Sequence, residues 1–283
     1  MSSGRVRTGS PPPSAPGGSA LTDTPRSAYR ALETRATLVT VGVLLALAAV
    51  AWWSIVGQAA DMGDMASGLG AIGTAMMPFD MSAATFLAMW ATMMVAMMFP
   101  TVAPIVLLHR MVARRRGEGV LPTIAFGAGY LLVWTAAGLV PLGVLIAFRN
   151  VAHDTGWVAP LSGAVLIVCG AYQFTRWKQA CQRACRSPMT FLMTHDFGRG
   201  VVGALRTGAA HGAYCLGCCW ALMAVLFVVG LMNLVWMAAI AVVFLAEKHW
   251  RHGAALARVV GTLVIALGVA VLIQPTLLAS ISI

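Results

Sequence analysis

The sequence predicts an all-α membrane protein, a polytopic bundle of about seven transmembrane helices with its N-terminus in the cytoplasm. Composition, the number of apolar runs and the placement of positive charge predict this fold. Of the 283 residues, 59% are hydrophobic and only 10% are charged, and the mean hydropathy is +0.83. Soluble domains carry about 25% charged residues, so the composition excludes a soluble domain.

Six apolar runs are long enough to cross a bilayer as helices, which takes about 20 residues. They occupy residues 36–56, 83–108, 122–147, 157–175, 212–230 and 256–273. A seventh run, 232–247, is short and follows the fifth almost without a break, with Gly230 and Asn233 at the junction. Because roughly 36 apolar residues are too many for one span, we expect a tight helical hairpin here.

The positive charges test this count. With seven spans and a cytoplasmic N-terminus, every lysine and arginine except Arg149 falls in an inner segment, as the positive-inside rule demands. Without the span at 232–247, Lys248, Arg251 and Arg258 would lie outside, so the asymmetry supports the hairpin. The net charge of +10 therefore indicates topology in a cell membrane, partly neutralised by anionic lipid. We expect the lipid bilayer as a partner and no nucleic acid.

Residues 1–35 are predicted to form a disordered, basic cytoplasmic tail, and residues 36–283 the transmembrane domain. The stretch GSPPPSAPGGSA at 9–20 contains almost nothing to bury. Alternatively, the first apolar run is a signal peptide, since GQAA at 57–60 offers small residues for cleavage. The long preceding tail argues against cleavage, which would leave the remaining topology unchanged.

Residues 211–223, HGAYCLGCCWALM, place a histidine and three thiols at the cytoplasmic end of a predicted span. At about 100° per residue, His211, Cys215, Cys218 and Cys219 project within an arc of about 100°. All four side chains are therefore expected on one face of the helix.

Cys181 and Cys185 form a second pair, spaced one helical turn apart on the same side of the membrane. They are expected on an amphipathic helix that continues out of the fourth span. Cys169 lies within that span, so all six cysteines fall at or near the cytoplasmic face. Cytoplasmic thiols are kept reduced, which argues against structural disulfides.

Three interpretations of these thiols remain open. Cysteine is a small residue that tolerates apolar packing, and this is the simplest reading of Cys169. Alternatively, Cys215 and Cys218 form a CxxC pair capable of disulfide exchange near a helix start. The third interpretation is a soft-metal site, because thiolate and imidazole suit copper(I) or zinc, and thioethers shift the choice towards copper(I).

Methionines run along the second span, where Met89, Met93 and Met97 repeat every four residues. Methionine is a common gap-filler between helices, so packing is one explanation. Further methionines gather in the outer loop, 57–83, which contains no lysine or arginine. Thioethers outside and thiols inside would form a gradient of increasing affinity that passes copper(I) inward or holds it at the cytoplasmic face.

The stretches CGAYQFTRWKQACQRACRSP (169–188) and HGAYCLGCCWALM (211–223) resemble the DUF2182 family of predicted metal-binding integral membrane proteins, sometimes labelled copper chaperones. The likeness extends from the second span onward and includes MMVAMMFPTVAPIVLL at 93–108. The resemblance implies metal contact at six residues. These are Cys181, Cys185, His211, Cys215, Cys218 and Cys219.

We therefore expect a membrane protein that binds a soft metal, copper(I) before zinc, and transports it or delivers it to a cuproprotein or metallochaperone partner. Met89, Met93 and Met97 would be transit donors, and the thiols with His211 the tighter site. One alternative is a membrane thiol-disulfide oxidoreductase that uses the CxxC pair, and another is a non-metal subunit of a larger complex. No nucleotide-binding or hydrolytic motif is visible, which argues against an energised pump.

Overall fold

The computed structural model describes residues 23–63, 82–148, 157–187, 199–230 and 233–281, and the regular elements in these ranges are helices. The prediction of an all-α membrane bundle is confirmed. In chain order the helices are α1 (Asp23–Gly63), α2 (Ala83–Arg115), α3 (Leu121–Ala137), α4 (Leu139–Phe148), α5 (Val158–Tyr172), α6 (Arg176–Arg186), α7 (Gly200–Val229), α8 (Leu234–His249), α9 (Gly253–Ile273) and α10 (Thr276–Ile281).

Each of the seven apolar runs is helical, the run 122–147 comprising both α3 and α4, but the helices differ in their capacity to span a membrane. Among the described residues, five segments are long and apolar enough, namely residues 34–59 of α1, α2, residues 121–147 of α3 and α4 together, α7 and α9. The bent pair of α5 and α6, with an angle of 60°, would be a sixth. Helix α8 has 16 residues and is shorter than a typical span. The protein is therefore a multi-pass membrane protein in which a seventh span stays a prediction.

Backbone contacts divide the chain into two units, Met1–Val39 and Thr40–Ile283. In the first unit the structure describes residues 23–39, which belong to α1. The predicted tail extends to residue 35, whereas α1 begins at Asp23, and residues 1–22 lie outside the described residues. The second unit contains residues 40–63 of α1, the remaining helices and the cysteines.

Glycines bring α3 and α7 into close contact. A Cβ atom on Gly129 of α3 would overlap the backbone carbonyl oxygen of Leu205, and one on Gly208 of α7 would overlap that of Phe126. Membrane helices associate through such small faces because lipid tails provide no hydrophobic driving force between helices. This packing fixes the position of α7, the helix with three of the six cysteines.

A second close crossing joins α5 to α9. A Cβ atom on Gly163 would lie 2.9 Å from the carbonyl oxygen of Gly268, and one on Gly170 would lie 2.7 Å from that of Gly261. The two pairs are seven residues apart on both helices, so the backbones stay close over two turns. This crossing fixes α5 and therefore the point from which α6 departs.

Helices α7 and α8 form the expected hairpin. Gly230 follows α7 with a φ of +104°, a conformation that only glycine adopts readily. The Asn233 side chain then caps α8 by accepting hydrogen bonds from two backbone N–H groups of its first turn. At the other end of α8, Lys248 Nζ lies 3.1 Å from Cys215 Sγ in the middle of α7. Helix α8 therefore runs back along α7.

Helix α2 lies in the interior of the second unit and brings the methionine run there. Its Trp90 donates a hydrogen bond of 2.8 Å to the carbonyl oxygen of Trp134 on α3. From α1, Trp52 donates one of 3.2 Å to the carbonyl oxygen of Ala96. Met94, Met97 and Met98 on α2 are almost completely buried.

Candidate metal site

Three thiols converge in the interior of the second unit. The sulfur atoms of Cys185, Cys215 and Cys218 all lie within 4.8 Å of one another, and those of Cys185 and Cys218 are 3.7 Å apart. A metal–sulfur bond of about 2.3 Å separates two sulfur ligands of one ion by about 4 Å. The spacing therefore fits a single metal ion bound by three sulfurs, and these three residues are called the thiol cluster below.

Two helices supply the cluster. Cys215 and Cys218 are one turn apart on α7, where both are buried. Cys185 lies in the last turn of α6, which packs against α7. The chain bends by 60° between α5 and α6, and Thr175 starts α6 by accepting a hydrogen bond from the Lys178 backbone N–H. The bend therefore lets a second segment contribute a thiol beside α7.

The other predicted cysteine and histidine ligands, Cys181, Cys219 and His211, lie on the same two helices as the cluster. Cys219 Sγ is 3.4 Å from Cys218 Sγ and is buried. Cys181 lies beside α7, because a Cβ atom on Gly217 would be 2.6 Å from its sulfur. The His211 ring is buried and stacks on the Tyr130 ring at a centroid distance of 6.1 Å. Among the described residues, only the three sulfurs of the thiol cluster lie close enough together to bind one ion.

Cys169 stands apart from these residues. It is buried in α5, and it is not a member of the thiol cluster. The six cysteines are all free thiols. Cys169 therefore offers a matched control for substitutions at the cluster.

A buried lysine, which in the sequence is only a marker of topology, contacts the cluster. Lys248 Nζ donates hydrogen bonds to Cys215 Sγ at 3.1 Å and to Thr101 Oγ1 at 3.0 Å. Tyr130 Oη lies 3.0 Å from the same sulfur. Burying an ammonium is costly unless it has polar partners, and the Cys215 sulfur and the Thr101 hydroxyl are the partners of Lys248 here. The predicted hairpin is the feature of the sequence that could have indicated this contact. Cys215 and Lys248 lie at similar distances along the chain from the turn at Gly230.

A buried ion pair ties α6 to α8 next to this lysine. Lys178 Nζ and Glu247 Oε2 are 2.9 Å apart, and both side chains are almost completely buried. Lys178 also donates to Gln173, and Gln182 donates to the Glu247 carbonyl oxygen at 3.3 Å. Because Glu247 contacts α6 and the next residue contacts Cys215, the end of α8 joins both helices that carry the cluster.

The sequence profile of a family described as PpoB2, copper chaperone, matches residues 87–271. The chain belongs to this copper-chaperone family. The match begins in α2 and ends in α9, so it includes the thiol cluster, and it confirms the family resemblance noted in the sequence. No curated protein and no solved structure matches the chain significantly.

In this member of the copper-chaperone family, the methionine run of α2 reaches the interior near the cluster. Met93 and Met97 are buried, and Met89 is half-buried. Met98, which was not singled out as a donor, has its sulfur 4.0 Å from Lys248 Nζ. Residues 64–81 of the methionine-containing outer loop lie outside the described residues.

Proposed function

We propose that this protein binds copper(I) at the thiol cluster and delivers it, within or beside the membrane, to a cuproprotein or metallochaperone. The observation that carries the proposal is the convergence of Cys185, Cys215 and Cys218, whose sulfurs lie within 4.8 Å of one another. The family description as a copper chaperone supports the same metal. The thiol cluster and the family description both point to metal binding.

The donor set favours copper(I) over zinc. All three atoms of the cluster are sulfurs, which suit both copper(I) and zinc, so the number of ligands decides between the two metals. Structural zinc sites are almost always tetrahedral with four ligands. Zinc would have to recruit a fourth donor outside the cluster, for example Cys219, whose sulfur lies 3.4 Å from that of Cys218.

The remaining predicted ligands have graded roles in the proposal. Cys181, Cys219 and His211 would bind the ion on its way into or out of the cluster. Met89, Met93 and Met97 would be weaker transit donors, since thioethers bind copper(I) without a charge. Support comes from the burial of Met93 and Met97 in the same interior as the thiols.

Metal analysis of anaerobically purified, reduced protein in detergent tests the proposal. The wild type is expected to retain about one copper(I) ion per chain against a competing chelator. Cys218→Ser removes one of three sulfurs and should weaken copper(I) binding by about tenfold or more, since losing even an outer-shell partner typically costs roughly 10–100-fold in metal affinity. Cys169→Ser also removes a buried thiol, but one outside the cluster, and should bind as the wild type does. Equal retention by both variants would refute the site.

A thiol-disulfide oxidoreductase is the second candidate, favoured by the contacts of Cys215. An ammonium and a phenol beside its sulfur stabilise the thiolate, which is the form that attacks disulfides. However, Cys215 and Cys218 are 0% and 2% exposed, whereas exchange with a protein requires access to the sulfur. This candidate predicts a trapped mixed disulfide in the Cys218→Ser variant and no stoichiometric metal in the wild type.

A non-metal subunit of a larger complex is the remaining alternative. It predicts that a variant without cysteines keeps full activity in cells, whereas the copper proposal predicts loss of copper delivery.

A further inference from the structure

We propose that Lys248 determines which metal valence the thiol cluster accepts, because its fixed positive charge favours a monovalent ion over a divalent one. The inference rests on the proposed function, since it concerns the same site. It assigns a specificity-determining role to a residue that is not itself a ligand.

The position of the Lys248 ammonium is defined by contacts from two other helices. It donates to Cys215 Sγ on α7 at 3.1 Å and to Thr101 Oγ1 on α2 at 3.0 Å. Thr101 donates its own proton to the Met98 carbonyl oxygen at 2.8 Å, so the hydroxyl oxygen is free to accept from the lysine. Because Lys248 is 8% exposed, bulk water screens its charge poorly.

The neighbouring carboxylate is engaged elsewhere. Glu247 Oε2 lies 2.9 Å from Lys178 Nζ, and Glu247 Oε1 accepts from the same ammonium at 3.1 Å. Among the described residues, the side chains within hydrogen-bonding distance of Lys248 Nζ are a thiol, a hydroxyl and the Met98 thioether. The ammonium charge consequently acts on the thiol cluster.

Coulomb repulsion from a fixed charge is proportional to the charge of the incoming ion. An ammonium beside the cluster therefore opposes zinc(II) twice as strongly as copper(I). Removing the ammonium therefore removes more Coulomb repulsion from bound zinc(II) than from bound copper(I). A change in the ease of deprotonating Cys215 affects both metals alike and cancels from the ratio of their affinities.

Competition titrations with chelators of each metal test the inference on purified, reduced protein in detergent. Lys248→Met is uncharged and similar in length, and it should raise the ratio of zinc(II) to copper(I) affinity by about tenfold or more. Lys248→Arg keeps the charge and should leave the ratio within about threefold of the wild type. Lys248→Gln, which keeps a donor for Thr101, provides the same comparison if Lys248→Met does not fold.

The ratio separates a charge effect from a structural one. If the neutral variants weaken both metals equally, or if Lys248→Arg shifts the ratio as they do, Lys248 is merely structural and the inference is wrong. If the wild type binds neither metal in a manner that depends on Cys218, the proposed function fails and the inference fails with it.

Discussion

At the scale of single residues, the site depends on where side chains are missing as well as on where thiols are present. Gly217 lies between Cys215 and Cys218 on α7, and its bare Cα lets Cys181 approach the helix. The Tyr172 hydroxyl donates to the Gly217 carbonyl oxygen at 2.7 Å. The second thiol-bearing segment therefore contacts α7 at the centre of the cysteine motif.

Gly217→Ala is expected to push the Cys181 side chain off α7 with little loss of stability. The new Cβ would be 2.6 Å from the Cys181 sulfur, which is the end of a side chain and can rotate away. We expect the alkylation rate of Cys181, followed by mass spectrometry, to rise several-fold. Gly143→Ala, on an open face of α4 with nothing within 4 Å, should leave this rate unchanged. A similar rise in both variants would contradict the packing described here.

At the scale of helices, α6 differs from an ordinary amphipathic helix because it buries polar side chains and exposes an apolar one. It buries Lys178 and Gln182 completely or nearly so, while Trp177 is 79% exposed. This arrangement is stable because the buried ammonium is paired with Glu247 of α8. The ion pair consequently holds Cys185, two turns further along α6, beside α7.

Glu247→Gln should therefore destabilise the protein and weaken the site. Removing one partner of a buried ion pair leaves an uncompensated charge and costs about 3 kcal/mol or more. We expect a lower midpoint of thermal unfolding in detergent and weaker copper(I) binding. Adding Lys178→Met removes the orphaned ammonium and should recover most of the lost stability. If Glu247→Gln alone were as stable as the wild type, the ion pair would not hold α6 in place.

The glycine contacts between α3 and α7 lead to a second prediction at this scale. Gly208→Ala places a methyl group on the Phe126 carbonyl oxygen and must separate two backbones, at a cost of about 1–3 kcal/mol. Gly127→Ala, on α3 with nothing within 4 Å, should be neutral or stabilising by up to ~1 kcal/mol because alanine is the better helix former. The midpoint of thermal unfolding distinguishes them, and equal effects would contradict the close crossing.

At the scale of the whole molecule, the hairpin of α7 and α8 decides the topology. Helix α8, with 16 residues, rises about 24 Å, less than the ~30 Å of a hydrocarbon core. It nevertheless runs back along α7 until Lys248 is level with Cys215. We therefore expect α8 to return the chain to the cytoplasmic side.

Reporter fusions test that topology. Fusions after residue 198 and after residue 252 should both report the cytoplasmic side, and a fusion after residue 283 should report the opposite side. The distribution of lysine and arginine supports this arrangement. If the fusion after residue 252 reported the outer side, α8 would not complete a crossing and the count of seven spans would be wrong.

Much of the fold follows from local properties of the chain. Hydrophobicity adds up over about 20 consecutive residues, so the apolar runs predicted the membrane helices, including the junction at Gly230 and Asn233 where α7 and α8 meet. Helical periodicity likewise placed Cys215 and Cys218 on one face. Both are buried in the structure, and both face Cys185.

By itself, then, the sequence determined the membrane class, the helices and the cysteine-bearing face, because each depends on residues within a few turns of one another. Only the tertiary structure decided that Cys185 joins Cys215 and Cys218 while Cys181 and His211 lie outside that group, and that Lys248 contacts the cluster. These contacts join residues 30 or more positions apart. They depend on the bend before α6 and on the glycine crossings, which set the distances between helices and which no local pattern specifies.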